Sequence, residues 1–350
     1  MSDSRSFDLE NALNSLPKLI ESSHGTGGKM THGLIERLFV PLFGTPELEK
    51  MADQAMLALP PSGRLAFTTD SYVVKPYQFP GGNIGDLAVN GTVNDLLMGG
   101  ATPGYLSVAM ILIEGLPMRD LATVAQTMAH AAKQAGVGIV TGDTKVVSGD
   151  ARDGLFITTS GVGFVPDGVE WGAERIQPGD VVILSGSIGD HGASVLASRF
   201  EMDFSSDIKS DTANLRNAVL AIRDLPGIRC MRDPTRGGVA TTLAELSSAS
   251  DLTLRINEKA LPIREDVRGL CEILGLDPLY VANEGKFVAV VAPEIADEVV
   301  ARLRTVPESR EARIVGEVTE ELKGYAVMNT MLGARRLLEL LPVEQLPRIC

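Results

Sequence analysis

The spacing of apolar residues changes several times along the chain, and each change marks a new element. From Asp86 to Met98, Val89, Val93, Leu96 and Leu97 recur every three or four residues, which predicts a helix with one buried face. The same period at Leu121, Val124, Ala125 and Met128 predicts a helix over 120–134, closed by Gly136 as a left-handed cap. A shorter helical pattern runs from His32 to Phe39 and stops at Pro41. Apolar and β-branched runs predict strands over 65–69, 105–113, 137–140 and 155–163.

Beyond Pro166-Asp167-Gly168 the pattern begins again, so a domain boundary is expected there. Strands are predicted over 181–184, 252–256, 287–291, 313–318 and 325–329. Helices are predicted near 191–200, 212–224, 239–246, 262–274 and 293–304. Both halves mix short strands with helices, an α+β arrangement in two domains. No repeat period suggests a solenoid.

Composition narrows the function classes. With 350 residues the chain can build two cores, and 44% apolar with 22% charged residues is ordinary for globular proteins. Acidic residues outnumber basic ones 45 to 32, a net charge of −13, which argues against a broad nucleic-acid surface. An anionic ligand would therefore need local lysines, backbone N–H groups or a metal. Cys230, Cys271 and Cys350 are too scattered for a disulfide framework or a zinc site, which points to a reducing compartment. The polar N-terminus lacks a signal-peptide core, and the most apolar run, 105–113, is about half a membrane span. A cytoplasmic protein with no membrane partner is expected.

The chemistry-bearing residues collect at glycine-rich stretches. In His24-Gly25-Thr26-Gly27-Gly28-Lys29 the glycines allow successive N–H groups to face a phosphate. The spacing is not that of a P-loop, and a flexible connector fits it equally. Asn90 and Asn94 share a helix face with Gly91 and Asp95 adjacent, so either solvent or a closely approaching group faces them. Asp53, Asp70, Asp143 and Asp233 stand where elements meet glycine-rich turns, and Asp95 makes a fifth. Each alone reads as a turn or cap residue. Together they suit Mg²⁺, which takes a few carboxylates plus substrate phosphates, with neighbouring N–H groups on those phosphates. Lys29 and Lys145 are the cations best placed to offset phosphate charge. Cys230 and Cys271 read as core thiols, and His24 and His191 as satisfied loop histidines rather than phosphate contacts.

The last stretch, Leu346-Pro347-Arg348-Ile349-Cys350, places a thiol on an arm that Pro342 and Pro347 bias toward an extended path. About fifteen such residues reach on the order of 45 Å. Arg348 favours the thiolate, and the adjacent carboxylate opposes it.

Taken together, HGTGGK (24–29), TTDSYVV (68–74), FPGGNIGDLAVNGTVNDLLMGGATPGYLS (79–107), TGDTKVV (141–147), IGDHG (188–192), MRDPTRGGVATTLAEL (231–246), ANEGK (282–286) and LPRIC closely resemble the HypE family of nickel–iron hydrogenase maturation factors. That family lies within the superfamily of aminoimidazole ribonucleotide (AIR) synthetase and selenophosphate synthetase. The resemblance spans nearly the whole chain from about residue 20. It implies a segment with the Gly-rich loop (1–44), an ATP-binding domain (45–166) that pairs across a homodimer into a β-barrel, a C-terminal α+β domain (167–331) and a mobile tail (332–350). ATP and Mg²⁺ are the implied cofactors. HypF would carbamoylate Cys350, the protein would dehydrate the S-carboxamide to an S-cyano group, and the cyanide would pass to iron on HypC and HypD.

By the same resemblance Asp53, Asp95 and Asp233 bind metal, and Asp70 and Asp143 are further nucleotide–metal contacts. Gly27, Gly28, Lys29, Asn94, Gly142 and Thr144 contact the nucleotide. Lys145 and Glu284 handle protons near the arriving thiocarboxamide, with Glu284 the better base and Lys145 a stabiliser of negative charge. Three positions depart from the family pattern: Asn83 where an acidic residue is expected, Asp86 where a basic one is, and Leu332-Gly333 where paired glycines are.

Two alternatives stand beside this reading. A selenophosphate enzyme should carry a reactive cysteine near the first glycine loop, yet no cysteine precedes Cys230, and an AIR synthetase gives no reason for the Cys350 thiol. A non-catalytic thiol carrier would not need five aspartates and two Gly-rich loops.

Overall fold

The computed structural model describes residues 7–200, 207–342 and 349. Two sheets organise it. The first contains β1 (Arg64–Tyr72), β4 (Thr102–Ile113), β5 (Gly138–Val147) and β6 (Leu155–Val165), in the order β1-β6-β4-β5; the strands β2 (Gln78–Phe79) and β3 (Gly82–Asn83) form a separate hairpin. Short helices α1 (Leu9–Asn14), α2 (Lys29–Leu34), α3 (Val40–Phe43) and α4 (Pro46–Glu49) precede the sheet. Helices α5 (Ile84–Met98) and α6 (Met118–Ala135) cover one face, and α6 is the crossover that lets β4 and β5 run parallel. On β6, Leu155, Ile157, Thr159, Gly161, Gly163 and Val165 alternate inward, the period of a half-buried strand. The opposite face leaves Leu65, Phe67, Ile111 and Val147 exposed.

The second sheet contains β7 (Val181–Leu184), β8 (Ile228–Arg232), β9 (Thr253–Asn257), β10 (Val288–Val291), β11 (Arg313–Thr319), β12 (Ala326–Asn329) and β13 (Arg335–Leu338), in the order β13-β12-β9-β11-β7-β10-β8. Helices α7 (Asp190–Arg199), α8 (Arg216–Ile222), α9 (Gly238–Ser250), α10 (Glu265–Leu274) and α11 (Ala296–Leu303) complete this half. One apolar core runs without interruption from Ile20 through α5 and α6 to Val219, Phe287 and Ala312, so the halves meet on a packed seam.

Several elements differ from the sequence reading. Thr141-Gly142-Asp143-Thr144-Lys145, taken as a loop after a four-residue strand, lies inside β5 and pairs with Ser107–Ile111 of β4. Gly142 is required there because a Cβ would overlap the Val108 carbonyl, so this glycine marks close strand approach rather than a turn. Asp70 also sits within a strand, since β1 continues to Tyr72. Pro41 does not stop its helix. Ile35–Phe39 forms a π turn in which the Val40 N–H reaches back to Ile35, and the widened turn carries the chain through Pro41 into α3.

The expected tail began at 332, but β13 pairs with β12 through Leu338. Leu332-Gly333 is the turn of that hairpin, with the Gly333 N–H donating to Thr330 O at 3.0 Å. β8 was also missed, because only five residues separate the preceding Gly227 from Asp233. Asn83 and Asp86, the departures from the family pattern, form a reciprocal cap on α5. Gly85 N–H donates to Asn83 Oδ1 at 2.7 Å, and Asn83 N–H donates to Asp86 Oδ1 at 2.8 Å.

Candidate active site

The site is built around Tyr72, the last residue of β1, whose fully buried ring packs against helix α5. Gly91 makes room for it, since a Cβ there would overlap the tyrosine hydroxyl. That hydroxyl lies 3.4 Å from Thr92 Oγ1, and the charges of Asp70, Glu284 and Asp95 all bear on it. Burial first, then these carboxylates, pushes the phenol well above its ordinary range.

Three carboxylates therefore converge from separate parts of the chain. Asp70 comes from β1 and Asp95 from α5, while Asp233 follows β8 in the loop that leads to α9. Thr68 Oγ1–H donates to Asp95 Oδ2 at 2.9 Å, and the Arg236 guanidinium donates to Asp70 Oδ1 at 3.0 Å. Burial raises the carboxyls of both Asp95 and Asp233 above the usual range, and neighbouring aspartate charge raises them further. Such mutually repelling oxygens are a donor set that favours a hard cation. Among the described residues no three His, Cys, Asp or Glu side chains stand close enough to hold a metal by themselves. The carboxylates fit Mg²⁺ in its usual protein form, with one or two carboxylates and the remaining positions taken by phosphates and water. Gly237 (φ +71) and Gly238 (φ +62) open α9 directly after Arg236, and Gly238 packs against the Leu279 and Val281 carbonyls too closely for any side chain.

Glu284 lies across the seam, 3% exposed. Its N–H donates to Asp211 Oδ1 at 3.1 Å, and its carbonyl accepts from Asn94 Nδ2 at 3.3 Å. Asn94 also donates to Ala213 O and accepts from the Leu215 N–H, so its amide clamps α5 to the second domain. Asn90 Nδ2 reaches Thr212 Oγ1. The group approaching this helix face is the other domain. Asn283, one residue before Glu284, accepts from the Gly189 N–H at 2.7 Å and donates to Pro234 O at 2.9 Å. The IGDHG, RDPTRGG and ANEGK motifs are thereby tied together at one point.

The tail reaches the same seam. Ile349 is 3% exposed, and its carbonyl accepts from His191 Nε2 at 2.9 Å. Cys350 lies outside the described residues, as do Leu346, Pro347 and Arg348.

A second group of expected site residues lies elsewhere. Gly27, Gly142, Asp143, Thr144 and Lys145 line one cavity of about 160 Å³, floored by residues including Phe39, Phe43 and Ile139. Ligand pockets for whole molecules run to roughly 300 Å³ or more, so this one suits a fragment such as a ring. Lys145 Nζ donates to Asp143 Oδ1 at 2.9 Å, and this bond, first among the causes, holds the Asp143 carboxyl below its ordinary range. Gly28 caps α2 and Lys29 is its exposed first residue. Asp53 sits on an exposed loop.

Sequence reasoning passed over Tyr72, Asp211, Lys286 and Arg236. Lys286 is 8% exposed and lies 3.4 Å from Asp211. Tyr72, Lys286 and Arg236 stood within quoted motifs, but only the fold shows which way they face. Cys230 and Cys271 are buried, as expected, and burial pushes both thiols up to about 11.

Comparison with known proteins agrees with this geometry. Residues 51–165 match the AIR synthase related protein N-terminal domain, and residues 177–329 match its C-terminal domain. The fold and seam therefore define an AIR synthase-related protein. The carbamoyl dehydratase HypE of Cupriavidus necator is 47% identical over 353 residues, covering 100% of both chains. A crystal structure of hydrogenase maturation protein HypE in complex with ATP superimposes with a TM-score of 0.90 at 46% identity, covering 94% of this chain and 99% of that one. A HypE–HypF complex gives a TM-score of 0.76 at 43% identity, covering 87% and 99%. The chain belongs to the HypE family of carbamoyl dehydratases.

Proposed function

We propose that this chain carries a carboxamide on the Cys350 sulfur and dehydrates it to a thiocyanate at the expense of ATP, as a source of cyanide for hydrogenase iron. The observation that carries the reading is the meeting at one seam of Asp70, Asp95, Asp233 and Glu284 with buried Ile349, the residue that precedes Cys350. A HypE solved with ATP supports the nucleotide, and a HypE solved with HypF supports that protein as the source of the carboxamide. The HypC–HypD complex is the proposed cyanide acceptor.

An amide oxygen leaves poorly. Attack of the carboxamide oxygen on the γ-phosphorus forms a C–O–P linkage and releases ADP. Loss of two protons from nitrogen and departure of phosphate then leave the S–C≡N group, so atoms and charge balance. One or two of Asp70, Asp95 and Asp233 would hold Mg²⁺ together with the phosphates, whose charge the ion would neutralise. Glu284, buried at the seam where the tail docks, is the proposed base. The cavity beside Gly27 and Gly142, which Lys145 also lines, lies apart from these carboxylates within one chain, so a second copy's cavity would take the nucleotide's ring, with its Lys29 and glycine N–H groups toward the phosphates.

Lys145 stands on the outer face of β5, and Asp70 faces α5 from β1, three strand spacings or roughly 14 Å away. One chain's Lys145 does not share a face with its own Glu284. A second copy, docked through the outer face and open edges of the first sheet, would supply that lysine. This is the proposed homodimer, and exposed Leu65, Phe67 and Ile111 support it.

Intact-protein mass spectrometry tests the activity directly. Carbamoylated protein given Mg-ATP should lose one water, confined to the peptide bearing Cys350, and Cys350→Ala should take up no carboxamide. Glu284→Gln should retain the carboxamide, slowed at least a hundredfold. Normal conversion in that variant removes Glu284 from the mechanism.

A further inference from the structure

His191 is wholly buried in the first turn of α7, and no step above uses it. Its ring is fixed on three sides. Phe79 of β2 meets it edge-on, with centroids 5.4 Å apart and planes at 88°. Nδ1 lies 2.8 Å from Ser210 Oγ, and Nε2 lies 2.9 Å from the Ile349 carbonyl. The tautomer follows from the partners. A carbonyl oxygen can only accept, so Nε2 bears the proton. Ser210 Oγ already accepts from the Thr212 N–H at 3.1 Å, which leaves its own proton for Nδ1. A neutral imidazole therefore satisfies every partner, and burial favours that neutral form by lowering the ring's pKa.

The surrounding backbone holds the ring at the domain seam. Gly189, in a left-handed conformation (φ +86), caps α7 and donates to Asn283. Gly192 has no space for a Cβ against Val281. Pro80 O, from the first domain, accepts from both Ser210 N–H and Ser194 Oγ–H at 2.8 Å. Ser210 is followed by Asp211, the carboxylate that receives the Glu284 N–H. The side chain that grips the tail is thus two hydrogen-bonded links from Glu284.

We propose that His191 is a positioning residue that latches the tail at Ile349, next to the cysteine, by donating from Nε2 to the Ile349 carbonyl. The latch reads backbone, so it serves the free thiol and its modified forms alike. Its meaning for catalysis rests on the dehydratase reading, but the contact itself does not.

The test is the rate at which iodoacetamide alkylates Cys350 in the full-length protein at pH 7.5, followed by intact mass and peptide mapping. Cys230 and Cys271 are buried with thiols near 11, so they react slowly and serve as an internal check on folding. His191→Ala should accelerate Cys350 alkylation at least fivefold while the two internal thiols stay protected. His191→Gln, whose amide N–H can donate to the same carbonyl, should return the rate to within twofold of the parent. Equal rates in the parent and His191→Ala would overturn the latch, as would a His191→Gln rate as fast as that of His191→Ala. Should His191→Ala expose the internal thiols, Ser210→Ala takes its place. Acceleration there supports the latch, and the parent rate overturns it. A latch that behaves as expected in protein that never loses water on Mg-ATP would sink the dehydratase reading alone. Water loss unaffected by His191→Ala, with unchanged alkylation, would sink the latch alone.

Discussion

Asp233 carries a conflict that the ligand-free chain cannot resolve by itself. Its carboxyl is crowded by protein and faces Asp95 and Asp70, and all of these push its pKa upward. A carboxyl whose pKa is raised by folding destabilises the fold at pH values above its unfolded range. That penalty grows as pH rises from about 4 toward neutrality. Asp233→Asn should therefore stabilise the ligand-free protein at pH 8, on the order of 1–2 kcal/mol, and by much less at pH 5. The same change should abolish the rise in melting temperature that Mg-ATP gives the parent. Calorimetry at both pH values, with and without Mg-ATP, checks both outcomes. A variant less stable at pH 8 than the parent would show that Asp233 is held by partners rather than strained by neighbours. At this scale the sequence named Asp70, Asp95 and Asp233 as candidates, because carboxylates beside glycines are readable. It equally named Asp53, now on an exposed loop, and Asp143, now paired with Lys145, because a residue type does not say which way it points.

Helix α5 is the element on which the site depends. Its sequence was read as amphipathic, yet nearly every residue is buried, because β1, β6 and α6 pack on it and the second domain covers the Asn90–Asn94 face. Gly91 is the point of closest approach. Gly91→Ala should cost about 1–3 kcal/mol, since the new methyl must displace a packed ring. Tyr72→Phe removes the atom it strikes and should recover part of that loss, so a double-mutant cycle by denaturant unfolding should show favourable coupling. Additive losses would mean the helix shifts instead of the ring. β5 gives the complementary lesson. Its Gly and Asp looked like turn chemistry, but pairing with β4 overrode local propensity. Gly136, by contrast, capped α6 in the left-handed conformation as its sequence context required.

For the molecule as a whole, the exposed apolar face of the first sheet sets the expected assembly. Phe67→Lys should shift sedimentation from dimer to monomer and lower dehydration at least tenfold, while leaving the fold intact by circular dichroism. If Lys145 acts on a neighbouring copy's site, mixing Lys145→Ala and Glu284→Gln proteins should restore activity, because each mixed dimer contains one site with both residues. No recovery after exchange of subunits would place both residues in one chain's site. Among the described residues no helix is long and apolar enough to cross a membrane.

Sequence alone determined the two-part α+β layout, the principal helices and strands, and the motifs that show the family. Those features arise from local periodicity and from short runs whose residue types are constrained by backbone geometry. Tertiary structure decided which candidates meet. Tyr72 draws Asp70, Asp95 and Glu284 together across more than two hundred residues of chain, and His191 finds the Ile349 carbonyl 158 positions away. Such encounters depend on how two sheets and their helices pack along the seam, which is a property of volumes and directions that no single stretch of sequence encodes.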